Sequence, residues 1–157
     1  MNEEVKYISY EEAISVYAKM IDASDGGFDG VRDEGGIRAA LEFVQNDMYY
    51  PNFSDKLCSL VYKFCSGHYF NDGNKRIALT LGAYFLYKNS YFWQATIFMR
   101  QMESIVYHVA ASNIDQDLLH RIMTCFMNGE DYDEELKIDI ANAMSKGELG
   151  VRGEDYE

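Results

Sequence analysis

A chain of 157 residues, 48% hydrophobic and 15% aromatic, has the material for one domain with a proper core, which excludes wholesale disorder and argues against two domains. Its net charge of −12 opposes direct nucleic-acid binding, because that affinity comes largely from Lys and Arg neutralising phosphate. The opening run MNEEVKYISY lacks the basic start and apolar stretch of a signal peptide, and no apolar run approaches the ~18 residues of a membrane span, so a cytoplasmic protein away from the membrane is expected.

Helical spacing dominates and no stretch shows a persuasive period of two, which predicts an all-α domain of about seven helices. Ser9 and Glu12 form a capping box for a first helix whose Ile14, Tyr17, Ala18 and Ile21 share a face and which ends near Asp22. ASDGGFDGVRDEGG is turn chemistry; as a calcium loop it fails, since Gly27 takes the place of a third-position ligand and Gly36 that of the closing Glu. A second helix is expected from Asp33 through Ala39, Ala40, Phe43 and Val44 to near Asn46.

Pro51 sits in the next loop, and Ser54 is placed to cap a third helix carrying Leu57, Val61 and Phe64, with Gly67 to end it. Cys58 and Cys65 lie seven apart on that helix and read as small buried hydrophobes; with Cys125 they make an odd count without a C-x-x-C pair, which fits neither a disulfide framework nor a zinc site. A fourth helix starts around Gly73 or Asn74 and buries Ile77, Leu81, Tyr84 and Phe85. Later helices are expected near Thr96–Ala111, Gln116–Met127 and Asp131–Met144. Residues 1–145 then form the domain, and 146–157, with GELGVRGEDYE, an acidic flexible tail. The aromatic clusters Tyr49–Tyr50 and Tyr91–Phe92–Trp93 read as core, with a substrate groove as the alternative, and His108 and His120 as packing or surface residues.

Between the third and fourth helices lies HYFNDGNKR, His68 to Arg76. A helix N-terminus leaves backbone N–H groups unsatisfied and carries partial positive charge, so a loop feeding one is a natural phosphate cradle. Gly73 lets the backbone approach an oxyanion, Asn74 can fix the loop with its amide, and Lys75 and Arg76 add charge beside the dipole. Asp72 offers a hard oxygen where Mg²⁺ would bridge nucleotide phosphates, and His68 is the side chain best matched to taking a hydroxyl proton near neutrality. Each piece alone is more often structural; base, metal ligand and anion cradle in sequence are not.

The stretch resembles the signature of the Fic/Doc family, roughly H-x-F-x-[DE]-G/A-N-[GK]-R, at His68, Phe70, Asp72, Gly73, Asn74, Lys75 and Arg76. Upstream, YISYEEAISVYAKMI and GVRDEGGIRAALEF are similar to the opening helix and the G-[IV]-R-D-x-G-x-[LI]-x-x-A-L segment of the death-on-curing branch, so the resemblance covers about Tyr7 to Tyr91. It implies a compact helical bundle with the motif loop before a central helix. It also implies transfer of part of a nucleoside triphosphate, such as ATP, to a Ser, Thr or Tyr hydroxyl of a target protein. By that resemblance His68 is the base, Asp72 binds Mg²⁺, Asn74 and Arg76 hold phosphates together with Gly73 and Lys75, and Phe70 is the buried anchor of the loop.

Members that transfer AMP typically read G-N-G-R-x-x-R, whereas this chain has Lys75 for the second Gly and Leu79 for the last Arg. Both departures resemble the death-on-curing branch, which transfers the terminal phosphate; AMP transfer by the same site is the alternative, and a catalytically degenerate binding module the second. Tyr69 stands where a Pro commonly follows the His. Self-inhibition in the family rests on [ST]-x-x-x-E-[GN], and Ser145 to Glu148 has the wrong spacing for it, so the resemblance implies a toxin restrained in trans by a separate antitoxin that folds into a groove of the early helices.

Overall fold

The computed structural model describes residues 4–23 and 30–155, with side chains of the last helix described as far as residue 146. Among the described residues there are seven helices: α1 Tyr10–Ala23, α2 Glu34–Phe43, α3 Phe53–Ser66, α4 Asn74–Lys88, α5 Phe92–Ala110, α6 Gln116–Asn128 and α7 Glu134–Asp155. Extended pairing among them is confined to one antiparallel bridge between Val31 and Phe70. The all-α expectation holds. Residues 24–29 of the expected turn lie outside the described residues, and α7 continues past Met144 into the stretch read as tail.

Local signals set most boundaries. The Ser9–Glu12 box forms as expected: Glu12 N donates to Ser9 Oγ at 3.1 Å and Ser9 N to Glu12 Oε1 at 3.2 Å. Asp33 caps α2 by accepting from Gly36 N at 2.8 Å, and Gly67 is the C-cap of α3. Several boundaries differ from expectation, among them the end of α2 at Phe43 and the start of α7 at Glu134, and two others have a visible local cause. The cap of α3 is Asn52 rather than Ser54, because Asp55 turns back to accept from Asn52 N at 2.9 Å. Helix α5 begins at Phe92, ahead of the expected Thr96, following Tyr91, which packs on Phe53 at 4.6 Å between ring centres.

Helix α4 is the central element, buried on several sides through Ile77, Ala78, Leu79, Leu81, Phe85 and Leu86, and it packs between α3 and α5. A helix apolar on most of its circumference belongs inside, and full burial of each Ile, Leu or Phe side chain contributes about 1.5–3 kcal/mol. Cys58 and Cys65 are buried in the same core, Cys65 donating to the Val106 carbonyl at 3.4 Å. Burial pushes the Cys58 thiol up to about 12 and that of Cys65 to about 11, so neither is a nucleophile near neutrality.

The aromatic clusters do not behave as core. Tyr49 is 68% exposed and Trp93 71%, with Phe92 also at the surface, while Tyr50 and Tyr91 are only half-buried. His120 is not a lone surface residue: it meets the Asp55 carboxylate across α3 and α6. His108 packs edge-on to Tyr107, and its Nδ1 lies 3.0 Å from the Asn113 amide. No described helix is long and apolar enough to cross a membrane.

Candidate active site

The loop from Gly67 to Gly73 is assembled around Phe70. Its ring is 1% exposed and stacks on Tyr17 of α1, with ring centres 4.0 Å apart and planes 16° from parallel. The Tyr17 hydroxyl donates to the Asp72 carbonyl at 2.9 Å, so one α1 residue supports the loop through both its face and its tip. On the other side, Asn71 N donates to the Gly30 carbonyl at 3.0 Å, while Arg32 N and Asp33 N both donate to the Tyr69 carbonyl, at 2.8 and 3.0 Å.

Asn74, the first residue of α4, reaches back over the loop. Its Oδ1 accepts from Phe70 N at 3.1 Å and its Nδ2 donates to the Phe70 carbonyl at 3.0 Å. The loop-fixing use of the amide read from the sequence is therefore present. Gly73, the N-cap of α4, has φ +78, a left-handed conformation that favours glycine, and a Cβ there would lie 3.0 Å from Met20 Cε. Asp72 is exposed, and its Oδ1 accepts from Gly73 N at 2.8 Å.

His68 has φ +52, a left-handed backbone that a non-glycine residue holds at a cost of roughly 1–2 kcal/mol. Glycine stands one position earlier, at Gly67, where the backbone is right-handed with φ −80. A histidine at the position whose backbone favours glycine points to a need for the side chain itself. The His68 ring is exposed and, among the described residues, makes no hydrogen bond.

These residues line a cavity of about 600 Å³ that takes in His68, Asn71 through Arg76, and Leu79. All the charged and polar residues expected from the motif come together there; Phe70 lies beneath the loop, in the core. Among the described residues no carboxylate stands within ion-pair distance of Lys75 or Arg76, although the chain carries 26 Asp and Glu. These two cations, free of ion pairs, stand beside the N-terminus of α4, and the carboxylates of Asp72 and Glu103 line the same cavity. Leu79, at the position of the family's last Arg, is 7% exposed and gives the cavity an apolar patch.

Sequence reasoning missed the opposite wall. Glu103 and Tyr107 of α5 also line the cavity, and Lys75 Nζ lies 5.6 Å from the centre of the Tyr107 ring. The available signal was their spacing of four on the polar side of a helix whose Met102 and Val106 are core. A larger cavity of about 740 Å³ lies elsewhere, lined by Lys6, Lys56, Lys88 and Tyr91 among others. Its buried Lys56 is already held by the Val44 carbonyl at 3.1 Å and by Asp47 at 2.8 Å.

The chain is similar to a known protein over about half of its length. It is 35% identical over 88 residues, 54% of this chain and 69% of the relative, to the protein of Escherichia phage P1 named "Protein kinase doc". The Fic/DOC family model matches residues 7–86, the span that contains α1 to α3, the motif loop and most of α4. On the matched span and on the loop it encloses, this chain belongs to the Fic/DOC family.

Proposed function

We propose that the chain is a toxin-type phosphotransferase that moves the terminal phosphate of a nucleoside triphosphate, ATP or another, onto a Ser, Thr or Tyr hydroxyl of a target protein in the cytoplasm. The observation that carries this reading is the exposed His68 on the same cavity as the unpaired Lys75 and Arg76 at the N-terminus of α4. Likeness to a relative named a protein kinase supports phosphate rather than AMP transfer, as do Lys75 and the apolar Leu79 where AMP-transferring members carry Gly and Arg.

In this reading His68 accepts the proton of the attacking hydroxyl, a bond forms from that oxygen to the γ-phosphorus, and the bond to the β–γ bridging oxygen breaks to release the diphosphate. Lys75 and Arg76 receive the phosphate oxygens, Gly73 lets the backbone approach them without a Cβ in the way, and Asn74 holds the loop in register and adds its amide to the cradle. Asp72 suits Mg²⁺: it is an exposed carboxylate on the cavity with Oδ1 oriented by Gly73 N, the hard oxygen donor that this ion prefers. Bound there, the ion would neutralise phosphate charge. Restraint falls to a separate antitoxin, and nucleic acid is not a direct ligand.

The test is to incubate the purified chain with cell lysate and ATP labelled at either the α or the γ position, then weigh the modified protein. Label from γ with the added mass of a phosphoryl group is expected. Label from α with an adenylyl mass would transfer the assignment to AMP transfer, and absence of label from both would leave only a binding module.

A further inference from the structure

Tyr69 stands beside the proposed base, and three features converge on it. Its carbonyl accepts two backbone N–H groups, from Arg32 at 2.8 Å and Asp33 at 3.0 Å, which ties it to the start of α2. Its ring meets Phe64 edge-on, with centres 5.3 Å apart. And that ring lies over two glycines. A Cβ on Gly36 would sit 2.7 Å from Tyr69 Cε1, and one on Gly67 would sit 2.4 Å from Cε1 and Cζ, distances that no real pair of carbons keeps.

The chain leaves α3 right-handed at Gly67 and must be extended by Phe70, where it bridges to Val31. With Tyr69 clamped at ring and carbonyl, the reversal of direction falls on the single residue between, and His68 takes it at φ +52. We infer that Tyr69 is the positioning residue of this site: its ring, seated in a slot made by Gly36 and Gly67, holds His68 in its left-handed conformation and so aims the imidazole into the cavity. The slot contains one residue of α2 and one of the α3 C-cap, so the aim of His68 is coupled to how α2 docks. The transfer arm of the test rests on the phosphotransfer reading; the exchange arm does not.

Four variants decide it: Tyr69→Phe, Tyr69→Ala, Gly36→Ala, and Tyr69→Ala combined with Gly36→Ala. Tyr69→Phe keeps the ring and behaves as wild type. Tyr69→Ala and Gly36→Ala each lower turnover about a hundredfold, the scale of a displaced catalytic group, while nucleotide affinity is unchanged because the cradle is untouched. Amide exchange at Arg32, Asp33 and Asn71 accelerates about tenfold or more in both, read as local opening of the clamp.

The Gly36 methyl also meets Asp33 Oδ2 at 2.5 Å, so the double variant separates the two contacts. In it the methyl adds little to the loss caused by Tyr69→Ala, because the ring it displaced is gone. The inference is overturned if Tyr69→Ala keeps turnover and exchange protection, or if Gly36→Ala is as harmful with the ring removed as with it present. Should Tyr69→Ala fail to fold, Gly36→Ala against wild type carries the same expectation, and normal turnover and protection in it overturn the idea. A wild-type chain that transfers no group from any nucleotide defeats the phosphotransfer reading alone, and the exchange rates still decide the role of Tyr69.

Discussion

Asn74 clasps Phe70 with both atoms of its carboxamide, accepting from the Phe70 N–H at 3.1 Å and donating to the Phe70 carbonyl at 3.0 Å. The pair behaves as a peptide-like bridge from the first turn of α4 to the strand-like residue beneath the loop. Because one atom donates and the other accepts, only an amide satisfies both groups. Asn74→Asp, with two acceptors and no donor, sets a carboxylate oxygen against the Phe70 carbonyl. It is expected to destabilise at least as much as Asn74→Ala, which leaves two part-buried backbone groups unpaired at about 1–3 kcal/mol. Urea unfolding of the two variants checks the order; a stable Asp variant contradicts the clasp.

His68 should show opposed effects on activity and stability. His68→Ala lowers transfer on the order of 10²–10⁴-fold, about 3–5 kcal/mol of barrier, with the fold intact. His68→Gly abolishes transfer as well but relieves a left-handed backbone, and is expected to unfold at higher temperature than His68→Ala. Thermal melting beside a turnover assay tests both halves, and a Gly variant that melts below the Ala variant removes the argument from strain.

Asp72 contributes one carboxylate oxygen to Gly73 N at 2.8 Å and is otherwise exposed. Asn keeps an acceptor for that N–H and removes the charge, so Asp72→Asn should leave the melting temperature nearly unchanged. Turnover should fall, and the Mg²⁺ concentration needed for half-maximal rate should rise. Unaltered Mg²⁺ dependence would show that the ion is held elsewhere.

Far from the cavity, Glu12 ties α1 to α4: it accepts from Lys88 Nζ at 2.5 Å, from the Tyr84 hydroxyl, and from Ser9 N. Burial alone would raise its carboxyl, but the hydrogen bonds from Lys88, Tyr84 and Ser9 prevail and hold it down at about 2. A folded-state value below the unfolded one contributes stability that is fully present above the unfolded value near 4.5, and that is lost as pH falls towards about 2. Unfolding free energies measured between pH 7 and pH 2 should therefore drop for the wild type across that window. Glu12→Gln should start lower at neutral pH and drop less; parallel curves would exclude Glu12 as the source.

Much of the architecture was legible because it is written within three or four residues. The Ser9–Glu12 box, the start of α2 at Asp33, the Gly67 stop and the glycine before α4 each act across one turn, and each appears where the residues imply. The Asn52 cap was missed although it is just as local, since Ser54 is equally competent and the choice lies with which backbone Asp55 can reach. The exposed Tyr49, Phe92 and Trp93 were misjudged because aromaticity says what a residue could bury and not whether a neighbour arrives to cover it.

By itself, then, the sequence determined the seven-helix all-α pattern and the order of base, acid, glycine, amide and cations in one loop, because both depend on contacts near along the chain. Only the tertiary structure decided what that loop faces. Tyr17 supports it from fifty-five positions away at Asp72, and Tyr69 settles over glycines drawn from two different elements. Across the cavity stand Glu103 and Tyr107, on a helix with no motif to announce it. The physical reason is chain closure: those meetings are set by how α1, α3 and α5 pack around the buried α4 and α2 against α1 and α3, an outcome of the whole core that no short window of residues contains.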